Sequence, residues 1–133
     1  MTSKKSPSGA NFPYYYKNGE LFGTHFEGFA SREEKLLELM KAEEEFLIKQ
    51  NHPLPFWVNF YGTRLTDTVL SEFVQSMNRM RRYIPKLAIV GCSWFDRWRL
   101  RRVEKRLKMK LPAPVRYFGD PEVAKTWLLS EPD

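Results

Sequence analysis

Cysteine is nearly absent: Cys92 is the only one in 133 residues. It leaves no intramolecular disulfide and no cysteine-based zinc site, and a lone thiol suits a reducing compartment. Histidine is almost as scarce, with His25 and His52 alone to serve as bases or ligands. No apolar run approaches the length that spans a bilayer, so integral membrane insertion is not expected. Residues Met1-Thr2-Ser3-Lys4-Lys5-Ser6-Pro7-Ser8-Gly9 carry positive charge with no apolar stretch behind it, unlike a signal peptide. Cytoplasmic residence is therefore the expectation. Neither a Gly-x-Gly-x-x-Gly run nor a Walker pattern marks a nucleotide site, and no metal or cofactor is expected.

What the chain does contain is apolar and aromatic side chains, at 42% and 15%, and a net charge of +6. The length fits one domain with one core. The charge favours contact with nucleic acid, an anionic membrane or an acidic protein, without choosing among them.

Residues 1–12 read as a flexible tail, because Lys, Ser, Pro and Gly dominate; a single domain follows over 13–130. Asn18-Gly19 between Tyr14-Tyr15-Tyr16 and Leu21-Phe22 predicts a hairpin, since a type I′ turn needs positive φ at both centres. Ser31 with Glu34 reads as a capping box opening a helix over about 32–50, closed by Pro53 and Pro55. Phe56–Tyr61, Lys86–Gly91 and Val115–Phe118 read as buried strands. Thr66 caps the helix between the first two, whose buried stripe is Leu70, Phe73, Val74, Met77 and Ile84. A helix over about 94–108 joins the last two, and Asp120-Pro121-Glu122 begins a final one. The order predicts an α/β single-domain mixed sheet: an N-terminal antiparallel hairpin, then three parallel strands connected by helices through right-handed crossovers.

Residues 56–128 resemble the STAS-like superfamily, the fold of bacterial anti-sigma-factor antagonists (SpoIIAA-like proteins). The features are Val58-Asn59-Phe60-Tyr61-Gly62, Leu87-Ala88-Ile89-Val90-Gly91, and Val115-Arg116-Tyr117-Phe118-Gly119-Asp120 leading to Glu122-Val123-Ala124-Lys125-Thr126-Trp127-Leu128. The resemblance implies a non-enzymatic regulatory domain that binds other proteins, sometimes nucleotides or lipids. Regulated members carry a phosphorylatable Ser in an Asp-Ser motif at a helix N-terminus. The corresponding stretch here is Arg64-Leu65-Thr66-Asp67-Thr68, which keeps the acid–hydroxyl order but not the serines, and so leaves phosphorylation of Thr66 or Thr68 open.

Two candidate surfaces follow. Strand-to-helix loops gather at the carboxyl edge of such a sheet, where Thr63, Arg64, Thr66, Asp67, Thr68 and Ser93 offer an anion-binding or phosphoregulatory loop. The ordinary alternative is that Gly62, Gly91 and Gly119 simply permit the turns. The second surface lies on the helix 94–110, where Leu100, Val103 and Leu107 share the inner face. Trp94, Trp98, Arg101, Arg102 and Lys105 fall on the other face, by the 3.6-residue repeat. Trp mixed with Arg suits a protein partner, and would also serve a lipid or anionic membrane or a nucleic-acid backbone. Its ordinary alternative is a solvated basic face with both tryptophans tucked against the N-terminal hairpin or helix. A homodimer is a further option. Glu43-Glu44-Glu45 reads as a solvent-facing helix segment. Catalysis is not expected: Cys92 lies after a strand and before a helix, but His52 falls at the opposite, amino-terminal edge, His25 in the hairpin could lie anywhere on the sheet, and no coherent acid–base pair is seen.

Overall fold

Alternation along the apolar strands splits the interior into two layers. The structure, a computed structural model, describes residues 4–17 and 19–130. Its elements are β1 (Lys4–Lys5), β2 (Asn11–Phe12), β3 (Tyr14–Tyr16), β4 (Gly19–His25), α1 (Glu33–Gln50), β5 (Phe56–Asn59), α2 (Asp67–Arg79), a 3-10 turn (Arg81–Tyr83), β6 (Leu87–Val90), α3 (Trp94–Leu107), β7 (Val115–Phe118) and α4 (Pro121–Leu128). Five strands form one mixed sheet in the order β3-β4-β5-β6-β7. β3 and β4 pair antiparallel, and β4 through β7 all run parallel. The α/β class and the hairpin-plus-parallel-strands plan are as expected from the sequence. The second hairpin strand goes further and joins the parallel set, with Phe22 opposite Phe56 and His25 opposite Asn59.

Spatial order equals chain order, so every crossover advances the same way. Right-handed crossovers then stack their helices on one face. Phe22, Phe56, Val58, Leu87 and Ile89 turn to that face and pack with α1, α2 and α3. Their neighbours Leu21, Trp57, Ala88 and Val90 turn to the other, which α4 covers through Ala124 and Leu128. Each large side chain wholly buried this way contributes about 1.5–3 kcal/mol.

Several local expectations shift. Tyr16 pairs with Gly19, so the hairpin turns between them, with Lys17 at φ 52°. Asn18 itself lies outside the described residues. Gly19 belongs to β4, where a Cβ would meet the Leu129 side chain. The capping residue of α1 is Arg32, without a side-chain cap bond, rather than Ser31. The loop there is held instead by Arg32, which donates to the Gly28 and Phe29 carbonyls.

The segment expected as a tail carries two short strands within residues 4–12; residues 1–3 lie outside the described part. β1 and β2 pair as a two-stranded ribbon. Its link carries Ser6, which is buried, and Ser8; both hydroxyls donate to the Glu43 carboxylate, at 3.1 and 2.7 Å. Phe12 then packs on Phe22 and Phe46. Polar anchoring of this kind leaves no apolar run to read in a sequence.

Candidate functional site

β6 ends at Val90, and Gly91 follows at φ 91°. A Cβ there would stand 2.7 Å from the Tyr61 backbone nitrogen, so only glycine lets β5 and β6 end this close together. Ser93 then opens α3 with a complete capping box. Its hydroxyl accepts from the Asp96 N–H at 3.1 Å, and the Asp96 carboxylate accepts from the Ser93 N–H at 3.2 Å. Leu100 and Val103 are buried, and Arg99 fastens the helix to the start of α2. Its guanidinium donates to the Leu65 carbonyl at 2.6 Å and to Asp67 at 2.8 Å. α3 is therefore fixed in rotation, and its outer face is fixed with it.

That outer face carries Trp94, Trp98, Arg101, Arg102 and Lys105, all exposed. The tryptophans are 76% and 45% exposed, so neither is tucked beneath the N-terminal elements. Phe95, half exposed, completes an aromatic group that the sequence reading left off this face. Its ring stacks on Trp98 at 5.8 Å and meets the Trp94 ring edge-on at 6.1 Å. Phe95 follows Trp94 directly and precedes Trp98 by three residues, the spacing that joins neighbours on a helix surface. Arg102 lies over the Trp98 ring at 5.0 Å, and Arg99 over Phe95 at 5.9 Å. Trp98 and Arg102 together wall two surface depressions. One, of about 420 Å³, runs past Phe95 toward Arg106; the other, of about 410 Å³, follows Arg101, Lys105 and Lys108 to Lys110.

The basic character expected of this helix accounts for the whole net charge. Residues 94–110 hold eight of the 22 basic residues and two of the 16 acidic ones, leaving fourteen of each elsewhere. The whole +6 thus resides in one segment. Its two acids are engaged internally: Asp96 in the capping box, and Glu104 in accepting from the Leu111 N–H at 2.8 Å. Among the described residues, Arg101, Arg102 and Lys105 make no ion pair.

The loop surface is assembled as a place but is spent chemically. Thr63, Arg64, Thr66, Asp67 and Thr68 line an open depression of about 620 Å³ together with Asp96 and Arg99. Ser93 does not line it, because its hydroxyl caps α3. The Thr63 hydroxyl donates to the Phe26 carbonyl and accepts from the Phe29 N–H. Thr66 donates to Glu33 and caps α2 by accepting from the Val69 N–H at 3.1 Å. Two carboxylates also face the depression, and the hydrogen bond and charge of Arg99 hold Asp67 below the usual carboxylate range. An anion there would meet fixed negative charge and two hydroxyls already in use. Thr68 and Arg64 remain exposed at its rim.

Cys92 is 7% exposed, and burial pushes its thiol up to about 12, with the Asp96 carboxylate acting in the same direction. The position ahead of a helix N-terminus does not overcome that desolvation. His25 pairs instead with Glu27, at 3.1 Å. Of the three glutamates read as solvent-facing, only Glu45 is exposed. Glu43 is buried on Ser6 and Ser8, and Glu44 forms a two-pronged pair with Arg79 at 2.7 and 2.8 Å. Among the described residues, no helix is long and apolar enough to cross a membrane. Comparison of the chain with protein-family models, with curated proteins and with solved structures finds no match.

Proposed function

We propose that this chain is a non-enzymatic, regulatory or interaction module that binds a protein partner through the outer face of α3, in keeping with its resemblance to STAS-like domains. The observation that carries this reading is the exposed Trp94-Phe95-Trp98 group at the head of the segment that holds the entire net charge. Three contiguous exposed rings cost solvation unless something covers them. Trp and Arg together are the side chains most often found to dominate binding energy at protein interfaces. α3 is held from behind by Leu100, Val103 and the Arg99–Asp67 pair, so the face is presented on a backbone that needs no ordering on binding. Against thiol catalysis stands the protonated, buried state of Cys92 at neutral pH.

The test is a photo-cross-link. p-Benzoylphenylalanine placed at Phe95 replaces one exposed aromatic side chain with another. In extract of the native cell the expected result is a discrete heavier band, abolished by excess wild-type chain and not by chain carrying Trp98→Ala and Arg102→Ala. The absence of any competed band would defeat the reading.

A further inference from the structure

We infer that the partner presents to α3 an acidic segment of protein chain with apolar side chains at one end, lying lengthwise along the helix. This rests on the reading of α3 as the partner face and names the chemistry of what it binds. Positions 94, 98, 101 and 105 recur every three or four residues, so Trp94, Trp98, Arg101 and Lys105 form one stripe; Lys108, just past the helix end, lines the same depression as Trp98, Arg101 and Lys105. From Trp94 to Lys105 the stripe runs about 17 Å at the helical rise. Aromatic rings occupy its first turn and cations the rest, and Arg102 bridges the two parts by lying over Trp98. Arg101, Arg102 and Lys105 make no ion pair among the described residues, and Glu104 beside them is engaged by the Leu111 N–H; such cations along a rigid line call for carboxylates on the occupant, and the ring cluster calls for apolar groups at one end.

The same geometry sets the other occupants aside. A nucleic-acid base stacks on a bare ring face. Phe95 and Trp98 already stack on each other, and each also carries a guanidinium. They offer edges to side chains rather than platforms to bases, and Trp94, which meets Phe95 edge-on, leaves one open ring face rather than the succession on which a strand of bases stacks. A helix lying in a membrane surface needs an apolar face along its whole length. The continuous apolar face of α3 is Leu100 and Val103, which is buried against the core. A second copy joined by two-fold symmetry would bring Arg101, Arg102 and Lys105 of both chains into one interface, with no acidic side chain in either stripe to offset them.

The experiment is a fluorescence-anisotropy titration of the purified full chain with a labelled helical peptide. The peptide bears Phe and Leu in one terminal turn and Glu one turn apart thereafter; it is made in both polarities. Its controls are the same peptide with Lys for Glu, a single-stranded oligothymidylate, and vesicles of phosphatidylserine and phosphatidylcholine. At moderate salt, one polarity of the Glu peptide should bind at least about tenfold tighter than the Lys peptide. Binding should weaken about tenfold with Trp98→Ala and with Arg102→Ala. Tighter binding of the oligonucleotide or the vesicles, or equal binding of the Glu and Lys peptides, overturns the inference. The Phe95 cross-link separates the two levels. A competed protein band that the Glu peptide does not displace overturns only the acidic-segment assignment, whereas no band overturns the partner reading beneath it.

Discussion

Glu43 holds its carboxylate on Ser6 and Ser8, while its second oxygen is buried without a partner. Burial raises its pKa above the ordinary 4.5, and the Ser8 and Ser6 hydrogen bonds offset only part of that. The folded protein thus binds this proton more tightly than the unfolded chain does. The stabilisation is full below about pH 4.5 and is lost as pH rises through the folded value. Glu43→Gln keeps an oxygen for the two serines and removes the charge. Urea unfolding should find it more stable than wild type near pH 8, with the gap closing toward pH 4; a variant less stable at pH 8 would contradict this. A pattern for the inward turn existed in the sequence. Leu36, Met40, Glu43 and Leu47 occupy one buried stripe, but a glutamate in such a stripe does not reveal the two distant serines that satisfy it. Gly91 is a simpler case. Gly91→Ala brings a Cβ against the Tyr61 backbone at a positive φ, and should cost about 1–3 kcal/mol by the same measurement.

α3 joins anchoring and display in one element. Its capping box ties its start and the Arg99 bonds tie its side, leaving the outer stripe without structural duty. Ser93→Ala should therefore lower stability by about 1 kcal/mol. Trp94→Ala should leave the denaturation midpoint nearly unchanged, within about 0.5 kcal/mol, while weakening partner binding. A large loss of stability with Trp94→Ala would mean that the ring serves the fold. The face of α3 was legible from spacing alone, because buried Leu100 and Val103 fix which side faces out. The cap of α2 at Thr66 and the Asp120-Pro121 start of α4 were legible for the same local reason. Capping patterns were less faithful for α1 and α3. Ser31-x-x-Glu34 has the letters of a box, but the chain there runs through Ala30 at φ 50° and the helix begins one residue later. The real box at Ser93 ends in Asp rather than Glu or Gln and escaped notice.

Across the whole molecule, the sheet order places three helices on one side and a single eight-residue helix on the other. The thin side is completed by aromatic rings. The Lys125 ammonium lies 5.0–5.7 Å from the rings of Tyr14, Tyr16 and Trp57, and Tyr16 donates to Glu122 at 2.6 Å. Most of these contacts join residues more than a hundred positions apart, so the apolar strands could be read from the sequence while this layer could not. The parallel seat of β4 beside β5 escaped for a similar reason. A hairpin signal fixes the pairing of its own two strands and says nothing of the next neighbour. The division of charge needed only a count: fourteen acids balance fourteen bases outside residues 94–110. The most direct test of the account is a charge swap on α3. Arg101, Arg102 and Lys105 all changed to Glu take the net charge from +6 to zero, since each change removes two charges. With its melting temperature preserved, this variant should release the Glu peptide and take up the Lys peptide at least about tenfold more tightly than wild type does. A folded variant that still prefers the Glu peptide would contradict the assignment of the outer face of α3 as the binding surface.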